Sequence, residues 1–144
     1  MKENALNVLN YHLSNQLIYD EIFVLNAKTG IVEISTNSLY EGLNKKSEVY
    51  YYETLKSKKL FIREIYHSIE IGRNTMDFAQ LIYETSDKNS EIIGVVVMRI
   101  DLQNSLYSLL LNRIGLGDTG ETLIVNTLSS VMVQVVTGSV TETE

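Results

Sequence analysis

The chain contains no cysteine and no proline, and only two of its 144 residues are histidine. Without cysteine there is no disulfide framework, no thiol nucleophile and no soft metal ligand. The absence leaves the compartment open, since extracytoplasmic and cytosolic domains alike do without thiols. His12 and His67 fall on an expected helix and an expected strand far apart in sequence, so no acid–base or metal-binding constellation is indicated. Proline is missing, and no internal repeat or low-complexity segment is present.

Positive charge is scarce as well. Twelve Lys and Arg against 18 Asp and Glu leave a net charge of −6, which argues against nucleic acid or an anionic membrane surface as partner. No apolar run is long enough to cross a bilayer, and Met1-Lys-Glu-Asn lacks the apolar stretch that follows the basic start of a signal peptide. What is present is ordinary globular composition, 44% hydrophobic and 21% charged, at a length that one domain can use to bury its own core.

The most informative stretch is Gly94–Asn126. Val95, Val96, Val97 and Met98 form a β-branched run that reads as a strand covered on both faces. Asp101 stops it and can cap a helix with apolar positions Leu102, Leu106, Leu109, Leu110 and Ile114, ended by Gly115 and Gly117. A strand at Thr122–Val125 follows. Upstream, Glu3–Gln16 is expected to be a helix with a stripe of Leu6, Leu9, Leu13 and Leu17, available to its own sheet or to a twin. Glu21–Leu25 and Ile31–Ser35 flank Asn-Ala-Lys-Thr-Gly as a hairpin, and Leu60–Ile69 and Asp77–Tyr83 flank a turn containing Gly72 and Asn74. Glu84–Ser90 is a polar loop into Ile92–Ile100, and Thr137–Glu144 reads as a polar, frayed tail.

Catalytic motifs are missing. Gly115-Leu-Gly-Asp-Thr-Gly lacks the lysine of a phosphate loop and leads into a strand, and Asp87 and Glu91, with Lys88 between them, do not make a calcium cage. No catalytic residue, metal site or cofactor is expected. The chain is expected to be a non-enzyme.

In order along the chain, Phe23-Val-Leu-Asn26 through Gly30, Ile34-Ser-Thr-Asn37, Tyr50–Leu55, Tyr66-His-Ser-Ile-Glu-Ile-Gly72, Asp77–Tyr83, Gly94-Val-Val-Val-Met-Arg-Ile-Asp-Leu102 and Gly115-Leu-Gly-Asp-Thr-Gly-Glu-Thr-Leu-Ile-Val-Asn126 resemble the Cache family. These are PAS-like sensor domains outside bacterial and archaeal cells. The resemblance, from about Asn4 to Asn126, implies an α+β fold. A central antiparallel sheet of about five strands would carry a long N-terminal helix and a helix after Ile92–Ile100. It implies one sensor module over 1–136 with 137–144 as tail. Tandem members open a second module with the Thr-Gly-Glu-Thr strand, whereas here Thr122–Asn126 and Val131–Val136 can instead pair as a hairpin. Membrane helices and an output domain, most simply a histidine kinase, would lie outside this sequence. The implied partners are a small-molecule ligand and a second copy through the first helix, by Leu6, Leu9 and Leu13, with the membrane met only through segments outside this chain.

In amino-acid-binding Cache domains an arginine two positions before a Trp-Tyr pair clamps the ligand carboxylate, and an aspartate near the end of the Gly-Val strand holds its ammonium. Matched by position, the aromatic pair falls on Tyr51 and Tyr52, the arginine on Val49 and the aspartate on Arg99. Both charge partners are therefore wrong for an amino acid. A guanidinium at that place suits a small anion such as a mono- or dicarboxylate, unless Arg99 faces solvent or pairs with an internal acid such as Asp77 or Glu64. Tyr66 and Ser68 share a strand face and are candidates to line the site, with Arg63 and His67 on the opposite face. Of the consecutive Tyr50, Tyr51 and Tyr52, at least one must meet solvent or a partner. The loop Tyr40–Lys46 is placed to close over a ligand. A ligand-free scaffold of the same fold, and an intracellular PAS-like haem or flavin domain, are the alternatives.

Overall fold

In the structure, a computed structural model that describes residues 2–111, 122–125, 131–136 and 139–142, the first helix α1 spans Lys2–Asn15. Strands β1 (Tyr19–Asn26) and β2 (Val32–Ser35) follow, then helix α2 (Val49–Ser57) and strands β3 (Phe61–Ser68), β4 (Arg73–Tyr83) and β5 (Ile92–Ile100). After a π-type turn at Gln103–Tyr107 come a short helix, α3 (Ser108–Leu110), and strands β6 (Thr122–Val125), β7 (Val131–Val136) and β8 (Ser139–Glu142). This is the α+β, PAS-like arrangement that the sequence resembles. The five-stranded antiparallel sheet has the order β2-β1-β5-β4-β3.

The order follows from the residues. The Gly-Val-Val-Val run is buried enough to take the middle of the sheet, where neighbours shield both edges. β1 pairs antiparallel with it on one side in the register Phe23↔Val97 and Leu25↔Val95, and with β2 on its other edge. The β1–β2 connection closes at Gly30, whose φ of +72° and backbone contact with Lys46 leave no room for a side chain. A Cβ there would lie 2.7 Å from the Cβ of Lys46.

By contact pattern the chain falls into two compact units, Met1–Arg63 with Asp77–Ile100, and Glu64–Met76 with Asp101–Glu144. In the first, Phe23, Leu25, Val32, Tyr50, Tyr51, Ala79, Leu81, Val95 and Val97 form one core, with α2 supplying the two tyrosines. The Phe23 and Tyr50 rings meet edge to face at 6.0 Å. In the second, β6, β7 and β8 form an antiparallel sheet of their own.

Three expectations need correction. The helix after β5 does not run evenly through the leucines. Asp101 does receive the Gln103 and Asn104 amides on its carboxylate, but the Tyr107 amide then reaches back five residues to the Leu102 carbonyl. That wider turn rotates the following residues relative to a 3.6-residue repeat, so Tyr107 is buried where Leu109 was expected, and Leu109 is 71% exposed. Ile114, Gly115 and Gly117 lie outside the described residues. Asn74 is a buried residue of β4, not part of the turn, which ends at Gly72 with φ +66°. Ser139–Glu142, expected in a frayed tail, pairs with β7 as β8, and Thr122–Val125 pairs with β7 as the alternative hairpin reading anticipated.

Candidate functional site

Strand alternation sends every second residue to the core face of the sheet. On β1 these are Leu25, Phe23 and then Glu21; on β4, Leu81, Ala79 and then Asp77; on β5, Val95, Val97 and then Arg99. Each strand therefore ends its apolar row with a charged residue, and the β1–β5 register sets Glu21 directly opposite Arg99.

The three charges meet. Arg99, 2% exposed, donates from Nη1 to Glu21 Oε2 at 3.3 Å and from Nε to Asp77 Oδ1 at 3.4 Å; Glu21 is 4% exposed and Asp77 fully buried. The guanidinium carbon also stands 5.8 Å from the centre of the Phe23 ring, a cation–π geometry. Buried Ser35, at the end of β2, donates its hydroxyl to Glu21 Oε1 at 2.8 Å. One positive and two negative groups thus share a site with little water, where charge-assisted hydrogen bonds from Arg99 offset the cost of burying the carboxylates.

From Ser35 the polar contacts continue outward. Its backbone amide donates to Glu41 Oε1 at 3.2 Å, and Glu41 Oε2 receives Lys2 Nζ of α1 at 2.9 Å. The Lys2 ammonium and the Ser35 amide hold the Glu41 carboxyl below its ordinary value. Between α1 and this end of β2 lies an open cleft of about 470 Å³, lined by Lys2, Leu6, Asn10, Ser35, Thr36 and Glu41 among others.

The residues singled out from sequence fall in different surroundings. Tyr51 lies in the core of the first unit and donates its hydroxyl to the Ala27 carbonyl at 2.8 Å; burial raises its pKa. Tyr52 is 47% exposed, and Tyr50 is fully covered, so the three consecutive tyrosines divide between core and solvent. Arg99 has an internal acid, Asp77, as partner. Tyr66, half-buried, and Ser68, buried, belong to the second unit. Leu6, Leu9 and Leu13 are half-buried on α1, which has no fully buried residue, and Leu17 lies beyond the helix end in solvent. Over the loop Tyr40–Lys46, the Lys45 ammonium sits 5.5 Å above the Tyr40 ring. Glu21, Ser35 and Glu41 were not anticipated. Glu21 had a signal, an acid in phase with Phe23 and Leu25 on a strand.

Among the described residues no group of three or more His, Asp or Glu side chains is arranged to hold a metal ion, and no helix is long and apolar enough to cross a membrane.

No family model and no curated protein matches the chain. Solved structures do. The extracellular domain of a candidate histidine kinase superposes with a TM-score of 0.72 at 15% identity, over 93% of this chain and 54% of that one. This chain has the fold of an extracellular sensory domain. The ligand-binding domain of the Campylobacter jejuni chemoreceptor Tlp3, in complex with 4-methylisoleucine, gives 0.67 at 19% identity over 91% of this chain and 51% of that one. That of the Pseudomonas aeruginosa PAO1 amino-acid chemoreceptor PctC, in complex with GABA, gives 0.62 at 13% identity over 87% and 54%. The chain thus spans about half the length of each.

Proposed function

We propose that this chain is the extracytoplasmic ligand-sensing domain of a membrane signal-transduction receptor, of the histidine-kinase kind, and that it binds a small polar metabolite without transforming it. The observation that carries this reading is the fold, shared over 87–93% of the chain with sensory domains of receptors. Support also comes from the buried ionic cluster at the end of the apolar rows, since a sheet that needed only a core would end in apolar residues there. Binding would shift the relation between two first helices paired through Leu6, Leu9 and Leu13. The free energy available for that shift is the ligand's differential affinity for the two arrangements.

The ligand's charge has two readings. Arg99 taken alone favours a carboxylate, held by paired N–H donors. Glu21 and Asp77 beside it favour the opposite, because a ligand anion must displace one of them while an ammonium or neutral polar group adds no like charge. Calorimetry with mono- and dicarboxylates, alkylamines and amino acids on wild type, Arg99→Lys and Glu21→Gln separates them. A carboxylate that weakens at least about tenfold in Arg99→Lys supports the first reading, and an amine lost in Glu21→Gln the second. Binding by no member of the panel, or equal binding in all three proteins, rejects the cluster as the ligand's anchor.

A further inference from the structure

We infer that Ser35 is a mechanical junction, a positioning residue through which the buried ion cluster and the first turn of α1 sense one another. Its use in signalling rests on the sensing role proposed above; the coupling itself does not.

The hydroxyl and the backbone amide of Ser35 point to different partners. Its hydroxyl donates to Glu21 Oε1 at 2.8 Å, and Glu21 holds Arg99 through its other oxygen. The same hydroxyl oxygen accepts the Asn37 amide at 3.0 Å, where the chain enters the 3-10 turn Ser38–Tyr40. Its backbone amide donates to Glu41 Oε1 at 3.2 Å, and Glu41 delivers its second oxygen to Lys2. Both glutamates are thus bridged, one oxygen to Ser35 and one to a cation. Asp77, Arg99, Glu21, Ser35, Glu41 and Lys2 form one unbroken polar chain inside a single compact unit.

The chain is directional in stiffness. Its inner end is sealed and cannot move without breaking charge-assisted bonds, whereas its outer end is an exposed ion pair that opens easily. Rotation of the Glu21 carboxylate, when a ligand competes for Arg99, withdraws the acceptor of the Ser35 hydroxyl. The Ser35 hydroxyl and amide are fixed to one backbone segment, so the loop Asn37–Glu41 moves with it and the grip on Lys2 changes. α1 has no fully buried residue to resist that change. The element that answers is one held to the sheet without a fully buried side chain.

Amide hydrogen exchange of the 144-residue chain tests the junction. Ser35→Ala should speed exchange at Leu6–Asn10 of α1 about two- to fivefold, the scale of an exposed ion pair, and the Ser35→Ala/Glu21→Gln double variant should be no faster than Ser35→Ala alone. Asn26→Ala, at the other end of the hairpin, should leave α1 at the wild-type rate. Coupling is reciprocal, so the surface change Lys2→Ala should move the Arg99 Nε–H resonance. Wild-type exchange in Ser35→Ala, or additive effects in the double variant, would overturn the proposal. Should Ser35→Ala not fold, an unmoved Arg99 resonance in Lys2→Ala overturns it alone. None of these measurements uses a ligand, so a failed ligand screen leaves this result standing.

Discussion

A guanidinium sealed from water is tolerable only where its charge is answered by neighbours that themselves cannot leave. Arg99 meets that condition through Glu21 on one adjacent strand and Asp77 on the other. Removing the arginine would take away the cation that Glu21 and Asp77 both contact in a buried site, so Arg99→Ala should destabilise the domain by about 3–5 kcal/mol. Replacing all three charges together by apolar side chains of similar volume should cost far less. Urea denaturation measures both, and a loss below about 1 kcal/mol for Arg99→Ala would mean that water already reaches the cluster. At this scale the sequence was half legible. Asp77 was named, with Glu64, as an internal acid able to pair with Arg99, and it is one of the two acids Arg99 meets. Glu21 escaped notice because nothing local says that residue 21 will lie opposite residue 99. That fact belongs to strand pairing.

Elements were read well where one pattern dominated. Ile92–Ile100 is a strand over the whole expected range because its β-branched run admits little else, and Tyr50–Leu55 lies inside α2. The segment after Asp101 was misread because leucines spaced for a 3.6-residue turn coexist with a π-type turn, and only backbone hydrogen bonding reveals which spacing the chain adopts. The β1–β2 turn permits two tests. Gly30→Ala forces a side chain into left-handed backbone and against Lys46, and should cost about 2 kcal/mol in chemical denaturation. Nearby, Lys28 Nζ and Glu91 Oε1 pair at 2.6 Å across two connections of the sheet. The hydrogen bond and charge of Lys28 hold the Glu91 carboxyl below its ordinary 4.5, and those of Glu91 hold Lys28 above 10.5. The pair's contribution is therefore present at neutral pH. It is lost as pH falls through the depressed value of Glu91, and lost again as pH rises through the elevated value of Lys28. An NMR titration of Glu91 should show its pKa climbing toward 4.5 in Lys28→Ala and in 1 M salt.

For the whole molecule, the α+β class and the central sheet of about five strands came from the resemblance of the ordered segments to the Cache family, and the structure has both. β8 was not, since a short polar strand has no pattern of its own and exists by pairing with β7. Association is a property of this scale too. The half-buried leucines of α1 are divided between the sheet and whatever lies outside it. If two copies pair through this stripe, Leu9→Glu should convert a dimer to a monomer in sedimentation velocity. An unaltered monomer in both proteins would assign the stripe to packing within one chain.

The position of β5 has a consequence for how the domain comes into being. Its middle strand is the last of the five to be synthesised, while its partner β1 is the first. A nascent chain must therefore hold β1 with an open edge until Gly94–Ile100 arrives, and loop-closure entropy makes that late encounter slow. Maturation should thus be paced by the emergence of β5, with β1 exposed to chaperones or to self-association in the interval.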